Sequence, residues 1–297
     1  MARFAALLIF TAIILSACQD SSSTNSPVLS TLAQAKASGT IRVGYANEAP
    51  YAYYDPELGQ LTGEAPSIAR RVFQDMGIKN IEGVLTEFGS LIPGLQAKRF
   101  DVIAAGMYIT PERCLEAAFS NPTYRIGEGF IVKKGNAKNL HSYEDVAKND
   151  SVKLGVVAGT VELNYATALG VPRDRIKIFP DDLGALAGLQ AGRVDAYAAT
   201  HLTIQTLLEK ANDADIERAE PFQDPVINGE PVYGYGAFAL RKEDGELIAA
   251  VNEGLAKFLG SPDHLKLVQP FGFSKSTLPG SVTADALCAS GAASDNG

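Results

Sequence analysis

Aromatic and charged residues occur together in three short segments, each of which follows a run predicted to be a β-strand. These segments contain Glu48 and Tyr51, then Phe88, and then Tyr108 and Arg113. A planar guanidinium matches a carboxylate through two parallel hydrogen bonds, and an aromatic face attracts a diffuse cation. Residue types of this kind suit the non-covalent binding of a small charged molecule.

Residues that bond-making chemistry needs are scarce in the sequence. It contains three histidines, His141, His201 and His264, and no cysteine or histidine pair at a metal-binding spacing, no glycine-rich phosphate loop and no Gly-x-Ser-x-Gly motif. His201 and Glu64 could approach a ligand, but we interpret them as a neutral residue at the edge of a cleft and as a residue that helps a helix begin. We therefore expect no enzyme, no cofactor and no metal.

Short apolar runs alternate with helical patterns around these segments, which is typical of α/β proteins with mostly parallel sheets. Residues 40–46 and 81–87 predict strands, and residues 66–76 have the apolar periodicity of an amphipathic helix that ends at a glycine. Residues 90–98 predict another helix, and residues 100–105 predict a buried strand.

An internal repeat indicates two lobes of similar topology. Residues 94–105 recur as residues 188–199, with eight of twelve positions identical. Each copy predicts the end of a helix, a tight turn and a strand. The strand ends, at residues 106–108 and 200–201, should face a crevice, which is where ligands bind in open α/β sheets.

Two glycine-punctuated extended segments flank the second copy, at Gly127–Val132 and Val232–Phe238. They predict a pair of hinge strands, in which small residues absorb the dihedral changes of lobe closure. Two ordinary strands with glycines that permit close packing remain the alternative.

The N-terminus predicts an exported lipoprotein. An apolar run at residues 4–17 follows a basic residue and is too short to span a bilayer, and residues 15–18 have the pattern of a lipobox in which Cys18 is acylated. We expect residues 1–17 to be a signal peptide and residues 18–37 to be a flexible tether to the membrane.

The charge balance argues against a nucleic-acid partner. The formal net charge is −8, and loss of Arg3 with the signal peptide would make it −9; the sequence pI is about 5.0. About 250 residues then remain, which is enough for two lobes.

Two cysteines, Cys114 and Cys288, remain once Cys18 is modified. In an exported protein such a pair is consistent with a disulfide, which would contribute about 4–5 kcal/mol for so long a loop. Two separate buried thiols are the alternative.

Four strings in chain order resemble the amino-acid-type periplasmic binding proteins of ABC importers: Ile41–Gly44, Leu91–Leu95, Phe100–Ile103 and Ile109–Arg113. The resemblance covers residues 38–273 and implies a type II periplasmic-binding-protein fold, with two α/β lobes joined by two hinge strands. It also implies a monomeric, extracytoplasmic solute-binding component that hands its ligand to ABC permease subunits.

Within that family, three further strings resemble the members that bind the compatible solutes ectoine and hydroxyectoine: Asn47–Tyr51, Thr62–Pro66 and Ala105–Cys114. By this resemblance Arg113 binds the carboxylate of the ligand, assisted by Thr160 in the turn between a strand and a helix. An aromatic box with an acidic partner would hold the cyclic amidinium: Tyr51, Phe88, Tyr108 and Glu48.

Thr200 is the seventh residue that we predict to contact the ligand. Amino-acid binders of the family commonly have an aspartate at this position, the end of the corresponding strand. A localised ammonium would lack that partner, which favours a delocalised cation bound by aromatic faces at about 0.5–2 kcal/mol each. The alternatives are a binder of a polar amino acid, a binder of proline betaine or a related osmolyte, and a sensor domain. A periplasmic dehydratase-like enzyme is a further alternative, with Glu48 as its one candidate acid or base.

The predicted organisation follows from the repeat, the hinge segments and the resemblance. Lobe one comprises residues 38–128 and 237–288, lobe two comprises residues 129–236, and residues 289–297 form a tail. Closure of lobe two over the ligand is the predicted motion.

Overall fold

A computed structural model of the protein describes residues 29–227 and 229–290. Within these residues the chain forms eleven α-helices: α1 (Thr31–Ser38), α2 (Glu64–Asp75), α3 (Leu91–Gln96), α4 (Pro111–Glu116), α5 (Tyr143–Lys148), α6 (Glu162–Ala168), α7 (Asp182–Gln190), α8 (His201–Ala211), α9 (Gly245–Phe258), α10 (Pro262–Val268) and α11 (Ala284–Ala289).

The same residues form sixteen β-strands: β1 (Thr40–Tyr45), β2 (Tyr53–Asp55), β3 (Gln60–Thr62), β4 (Asn80–Leu85), β5 (Val102–Ile103), β6 (Ala118–Phe119), β7 (Tyr124–Ile126), β8 (Glu128–Lys133), β9 (Leu154–Val157), β10 (Ile176–Phe179), β11 (Ala196–Thr200), β12 (Ile216–Arg218), β13 (Val226–Ile227), β14 (Glu230–Pro231), β15 (Gly234–Gly236) and β16 (Ala239–Leu240). No helix in this part of the chain is both long and apolar enough to cross a membrane. The predicted signal peptide and Cys18 lie outside the described residues.

Two five-stranded mixed sheets define two lobes. The sheet of lobe one has the order β4-β1-β5-β16-β6, and that of lobe two has the order β10-β9-β11-β8-β12. In each sheet three neighbouring strands are parallel and the fourth is antiparallel to both of its neighbours. The two α/β lobes predicted from the internal repeat are therefore confirmed.

The repeated sequence has the same structural role in both lobes. It supplies the central strand of each sheet, β5 in lobe one and β11 in lobe two. The Asp101 carboxylate accepts a hydrogen bond of 3.2 Å from the backbone N–H of Arg42, and the Asp195 carboxylate accepts one of 2.8 Å from the backbone N–H of Lys153. The repeated aspartate thus ties each turn to the neighbouring strand.

The chain crosses between the lobes where β7 pairs antiparallel with β15, with Tyr124 opposite Gly236 and Ile126 opposite Gly234. This pair lies partly outside the segments predicted as hinge strands, Gly127–Val132 and Val232–Phe238. The first of these segments instead lies mostly in β8, a buried strand of lobe two, because Phe130 and Val132 on one face and Ile131 on the other pack into the cores on both sides of that sheet.

The structure differs from the flexible tether predicted for residues 18–37, because helix α1 begins within that segment. Residues 31–37 are helical, so the prediction was wrong for them. Alanine, the strongest helix former, supplies three of the eight residues of α1. The hydroxyl of Thr31 donates a hydrogen bond of 2.6 Å to Asp244, and Ala35 is buried, so α1 is attached to the body of lobe one.

The C-terminal helices return to lobe one. Val251 and Leu255 of α9 belong to the same buried core as Val72 of α2. A disulfide joins Cys114 in α4 to Cys288 in α11, with Cα atoms 5.7 Å apart. The covalent bond therefore links the C-terminal segment to the short helix that carries Arg113.

Candidate functional site

A cavity between the two lobes has about 270 Å³ of space between its atoms, part of which is open to solvent. The residues that line it are Glu48, Phe88, Gly106, Tyr108, Arg113, Thr160, Val161, Glu162 and Thr200. Six of the seven residues predicted to bind the ligand are among them, and Tyr51 is the exception. A wider crevice of about 950 Å³ adjoins the cavity at Glu48 and Phe88 and is lined there by further carboxylates, Glu87, Asp181 and Asp182.

Lobe one contributes side chains from the carboxyl ends of its parallel strands. Glu48 follows β1, Phe88 follows β4 and begins a short 3₁₀ helix, and Tyr108 follows β5. Since parallel strands deliver these ends to the same edge of a sheet, residues distant in sequence reach one cavity.

Arg113 is held by hydrogen bonds to both lobes. Thr110 caps α4 by accepting from the backbone N–H of Arg113. The guanidinium donates a hydrogen bond of 2.8 Å to the carbonyl of Tyr108 in lobe one and another of 2.8 Å to the carbonyl of Gly159 in lobe two. Its Cζ lies 5.5 Å from the centre of the Phe88 ring. The guanidinium has five N–H groups, so donors remain for a ligand carboxylate.

Glu162 brings an acidic group close to that cation. It is 4% exposed, and burial raises its pKa, while Thr160, its own backbone N–H, Arg113 and Glu128 oppose the rise. Burial lowers the pKa of Arg113, and the charge of Glu162 opposes that shift. The cavity therefore holds a guanidinium and a carboxylate that are electrostatically coupled.

Thr160 lies in the turn between β9 and α6, as predicted. Its hydroxyl donates a hydrogen bond of 2.9 Å to the carbonyl of Val157. A ligand carboxylate would therefore have to compete for that proton, whereas a ligand donor could use the free lone pairs of the oxygen.

The three predicted box aromatics separate into two groups. Phe88 and Tyr108 are 8% and 4% exposed and line the cavity. Tyr51 is 1% exposed and packs instead against Tyr124 and Phe273, with ring centroids 5.3 and 5.6 Å away. The structure therefore brings two aromatic faces to the cavity wall and places the third ring beside it.

A series of three hydrogen bonds connects two residues of lobe one through two residues of lobe two. The hydroxyl of Tyr51 donates to Thr200 at 2.8 Å, Thr200 donates to Thr203 at 3.0 Å, and Thr203 donates to the carboxylate of Glu48 at 2.8 Å. Thr200 also caps α8 by accepting from the backbone N–H of Thr203. The hydroxyl of Thr200 is therefore fully engaged, and it joins the lobes in a closed arrangement.

Glu48 is the last acceptor in this series of hydrogen bonds, and its carboxyl group is buried in a low-dielectric environment. Burial raises its pKa well above the ordinary value, the nearby Asp182 raises it further, and the hydrogen bond from Thr203 opposes the rise. A bound cation would favour the charged form of Glu48, because opposite charges lower the pKa of a carboxyl group.

Two other residues that the sequence brought into consideration lie away from the cavity. The ring of His201 contacts the guanidinium of Arg218, and burial together with that charge lowers the pKa of His201. Glu64 is the first residue of α2, is buried, and hydrogen-bonds with Thr123. Among the described residues no group of three or more histidine, cysteine or acidic side chains is arranged to hold a metal ion.

Sequence reasoning missed Val161, Glu162 and Thr203. Glu162 comes two residues after Thr160, which the sequence analysis assigns to the site, so its position indicates that it could also line the cavity. Thr203 stands three residues after the strand end at Thr200, and nothing in its residue type distinguishes it from an ordinary helix residue.

Comparison with protein families gives one match across most of the chain. Residues 41–272 match the family described as bacterial extracellular solute-binding proteins, family 3. A probable amino-acid ABC transporter periplasmic-binding protein, y4tE of Sinorhizobium fredii, is 44% identical over 256 residues, which cover 86% of this chain and 82% of that protein. The L-cystine-binding protein TcyJ of Escherichia coli is 29% identical, over 76% of this chain and 80% of its own length.

Two solved structures resemble this one over most of their length. The crystal structure of EhuB in complex with hydroxyectoine has a TM-score of 0.79 and 40% identity, and the match covers 88% of this chain and 98% of that one. The ancestral amino acid-binding protein AncCDT-1, a precursor of cyclohexadienyl dehydratase, has a TM-score of 0.69 and 30% identity, with 82% and 99% covered.

Proposed function

The chain belongs to the bacterial extracellular solute-binding proteins of family 3, and we propose that it binds ectoine or hydroxyectoine by closure of its two lobes. As a member of this family it has the type II periplasmic-binding-protein fold and is the extracytoplasmic solute-binding component of an amino-acid-type ABC transporter. The closed, ligand-bound form delivers its solute to the permease subunits, and the protein acts by binding rather than by catalysis.

One observation carries the proposal: a single small cavity contains a guanidinium, two aromatic faces and carboxylates from both lobes. Arg113 matches the carboxylate of a zwitterion by charge-assisted hydrogen bonds. Phe88 and Tyr108 offer faces to a planar cation, and Glu48 offers it an opposite charge. Hydroxyectoine is the ligand of the EhuB structure, which supports this class of solute.

The engagement of Thr200 supports a delocalised cation. Its hydroxyl accepts from Tyr51 and from the backbone of Thr203 and donates to the side chain of Thr203. It therefore has no charge and no free proton to offer a compact ammonium. A cyclic amidinium, whose charge is spread over two nitrogens, depends less on one partner at that position.

A polar amino acid is the second candidate ligand, and Glu162 is the observation that favours it. This carboxylate lines the cavity from lobe two and could accept from an α-ammonium in place of the missing aspartate. The relatives named for binding L-cystine, L-arginine and histidine are 26–29% identical to this chain, whereas EhuB is 40% identical.

Isothermal titration of the purified protein with ectoine, hydroxyectoine, glycine betaine, glutamine and arginine tests the proposal. We expect ectoine or hydroxyectoine to bind with a micromolar or lower Kd, which corresponds to about −8 kcal/mol or stronger. Arg113→Ala should abolish binding, because it removes the one cationic side chain of the cavity among the described residues. Phe88→Ala should weaken ectoine far more than an amino acid.

The outcomes separate the candidate functions. Preference for glutamine or arginine, with Phe88→Ala nearly silent, would establish an amino-acid binder and contradict the ectoine assignment. Conversion of a bound solute into another compound, followed by nuclear magnetic resonance, would contradict a binding role and favour the dehydratase-like alternative, with Glu48 as the first residue to substitute.

Anchoring through Cys18 is a separate part of the proposal. Acylation of this residue would hold the protein at the membrane surface next to its permease. Mass spectrometry of the N-terminal peptide tests it: a diacylglyceryl or triacyl mass on Cys18 is expected, and an unmodified Cys18 in the mature protein would contradict the anchor.

A further inference from the structure

Glu162 is a buried carboxylate to which the protein supplies few hydrogen-bond donors. Its Oε2 is buried and accepts no hydrogen bond from a backbone, amide or hydroxyl group in the described part of the chain, although the carboxyl group of Glu128 is near enough to hydrogen-bond with Glu162. The residue is 4% exposed and forms part of the cavity wall beside Thr160 and Val161. A buried acceptor without a donor destabilises the protein by about 1–3 kcal/mol, and by more when it is charged. A ligand that supplies a further donor would reduce this penalty.

Of the neighbouring acids Glu128 and Glu162, Glu128 is the one that is protonated, and Glu162 carries the negative charge. Burial raises the pKa of Glu128 well above its ordinary value, and Glu162 and Asp224 raise it further. Glu128 and Arg113 both act in the opposite direction on the pKa of Glu162. Within this pair Glu128 therefore holds the proton and donates it to Glu162, whose remaining lone pairs on the cavity wall can accept from a ligand.

The opposite wall holds a second carboxylate, which is already partly satisfied. Glu48 accepts a hydrogen bond of 2.8 Å from Thr203. The cavity thus has two carboxylates and one guanidinium, contributed by Glu48, Glu162 and Arg113. After the ligand carboxylate has paired with Arg113, the cationic part of the ligand faces acceptors on both lobes.

We propose that Glu162 is a specificity-determining residue that requires a hydrogen-bond donor, N–H or O–H, on the part of the ligand that faces lobe two; this inference rests on the function proposed above. An amidinium or a primary or secondary ammonium meets the requirement. A quaternary ammonium does not, because its methyl groups cover the charge and would leave the charged carboxylate of Glu162 desolvated and without that further donor. The site therefore excludes fully N-methylated zwitterions, the betaines, although an aromatic cavity would otherwise accept them.

Titration calorimetry on ligand pairs that differ in N-methylation tests the proposal. The probes are ectoine, glycine betaine, and proline with N,N-dimethylproline; the proteins are the wild type, Glu162→Gln and Glu64→Gln. Glu64 is a matched control, because it is 1% exposed and has an unpartnered Oε2 but does not line the cavity. We expect the wild type to bind ectoine at least tenfold more tightly than either betaine. Glu162→Gln should weaken ectoine at least tenfold and change betaine binding by less than twofold, and Glu64→Gln should behave as the wild type.

Two results would overturn the role of Glu162: an unchanged ectoine Kd in Glu162→Gln, or betaines that bind the wild type as tightly as ectoine. If the wild type prefers an amino acid, the ectoine assignment fails, and the same comparison is made with that amino acid and its N,N,N-trimethyl derivative. If no probe binds the wild type, both proposals fail. Thermal unfolding checks that Glu162→Gln is folded; if it is not, Glu162→Asp, which keeps the charge but withdraws the oxygens, takes its place with the same expected loss.

Discussion

The hydroxyl of Tyr51 in lobe one donates a hydrogen bond of 2.8 Å to Oγ1 of Thr200 in lobe two, across 149 residues of sequence. Both residues are buried, and because they belong to different lobes, separation of the lobes would break the contact. Thr200 in turn donates to Thr203, and Thr203 donates to the carboxylate of Glu48, which lines the cavity. The contact between the lobes is thus connected to a residue of the ligand site. Closure and ligand binding should therefore depend on each other.

Tyr51→Phe should weaken ligand binding about three- to tenfold, because one neutral hydrogen bond contributes about 0.5–1.5 kcal/mol and this one connects the two lobes across the cavity. Titration calorimetry measures the loss, and small-angle X-ray scattering without ligand should show a larger radius of gyration.

Tyr124→Phe is the matched control for this substitution. Tyr124 is equally buried, and its hydroxyl donates 2.9 Å to the carbonyl of Gly106 within lobe one. This variant should lose stability but keep its affinity. Equal losses of affinity in the two variants would show that the bond between Tyr51 and Thr200 has no special role in closure.

Gly159→Ala should prevent full closure. A Cβ at this position would lie 2.5 Å from Cα of Gly89 in the opposite lobe, and the backbone has a φ of +81°. Since the carbonyl of Gly159 also accepts from Arg113, separation of the two backbones should reduce affinity at least tenfold in titration calorimetry.

Backbone strain alone is tested by Gly170→Ala. Gly170 has a φ of +86° and open space around its Cα. This control should lose about 1 kcal/mol of stability, as expected for a side chain in a left-handed conformation, with an unchanged Kd. Wild-type affinity in Gly159→Ala would contradict the close approach of the two lobes.

Replacement of both disulfide cysteines by serine should lower the free energy of unfolding by about 3–5 kcal/mol, because the bond closes a loop with a sequence separation of 174 residues. Urea denaturation of the double variant Cys114→Ser/Cys288→Ser measures this loss. The Kd should change little at 25 °C, since the contacts of the Arg113 side chain are made to Tyr108 and Gly159. A change in unfolding free energy below about 1 kcal/mol would show that the packing of α11 on α4 suffices without the bond.

The sequence predicted the two lobes because the evidence for them is local and repeated. The internal repeat of residues 94–105 as residues 188–199 encodes the same helix, turn and strand twice, and each copy supplies the central strand of a sheet. Helix α1 was missed because small polar residues on its N-terminal side dominate the composition of the segment. Its contact with Asp244 joins positions 213 residues apart, which no local pattern reveals.

The same distinction explains the site. Arg113, Phe88 and Tyr108 stand at strand ends or in a recognisable string, so their approach to one cavity could be predicted. The packing of Tyr51 away from the cavity depends on Tyr124 and Phe273, which come from distant parts of the chain. Contacts of this kind are set by tertiary packing and not by residue type or spacing.

Glu64→Gln should stabilise the protein, and by more as the pH rises. Burial raises the pKa of Glu64 in the folded protein from 4.5 to about 8, and the hydrogen bond with Thr123 opposes that rise. Between these values the unfolded chain releases the proton while the folded protein keeps it. The free energy of unfolding therefore falls as the pH rises, by up to about 1.4 kcal/mol per unit.

Glutamine has nearly the same shape and no proton to lose, so the variant escapes this penalty. Below pH 4.5 the two proteins should be similar, and at pH 8 Glu64→Gln should be more stable by a few kcal/mol at most, on the order of the integrated linkage. Urea denaturation at pH 5, 6.5 and 8 measures the difference, with the exposed Glu57→Gln as control. The prediction is contradicted if the difference in unfolding free energy between the two proteins stays constant across this range or reverses sign. Either result would mean that Glu64 is ionised in the folded protein and is paired more strongly than its burial and its contact with Thr123 allow.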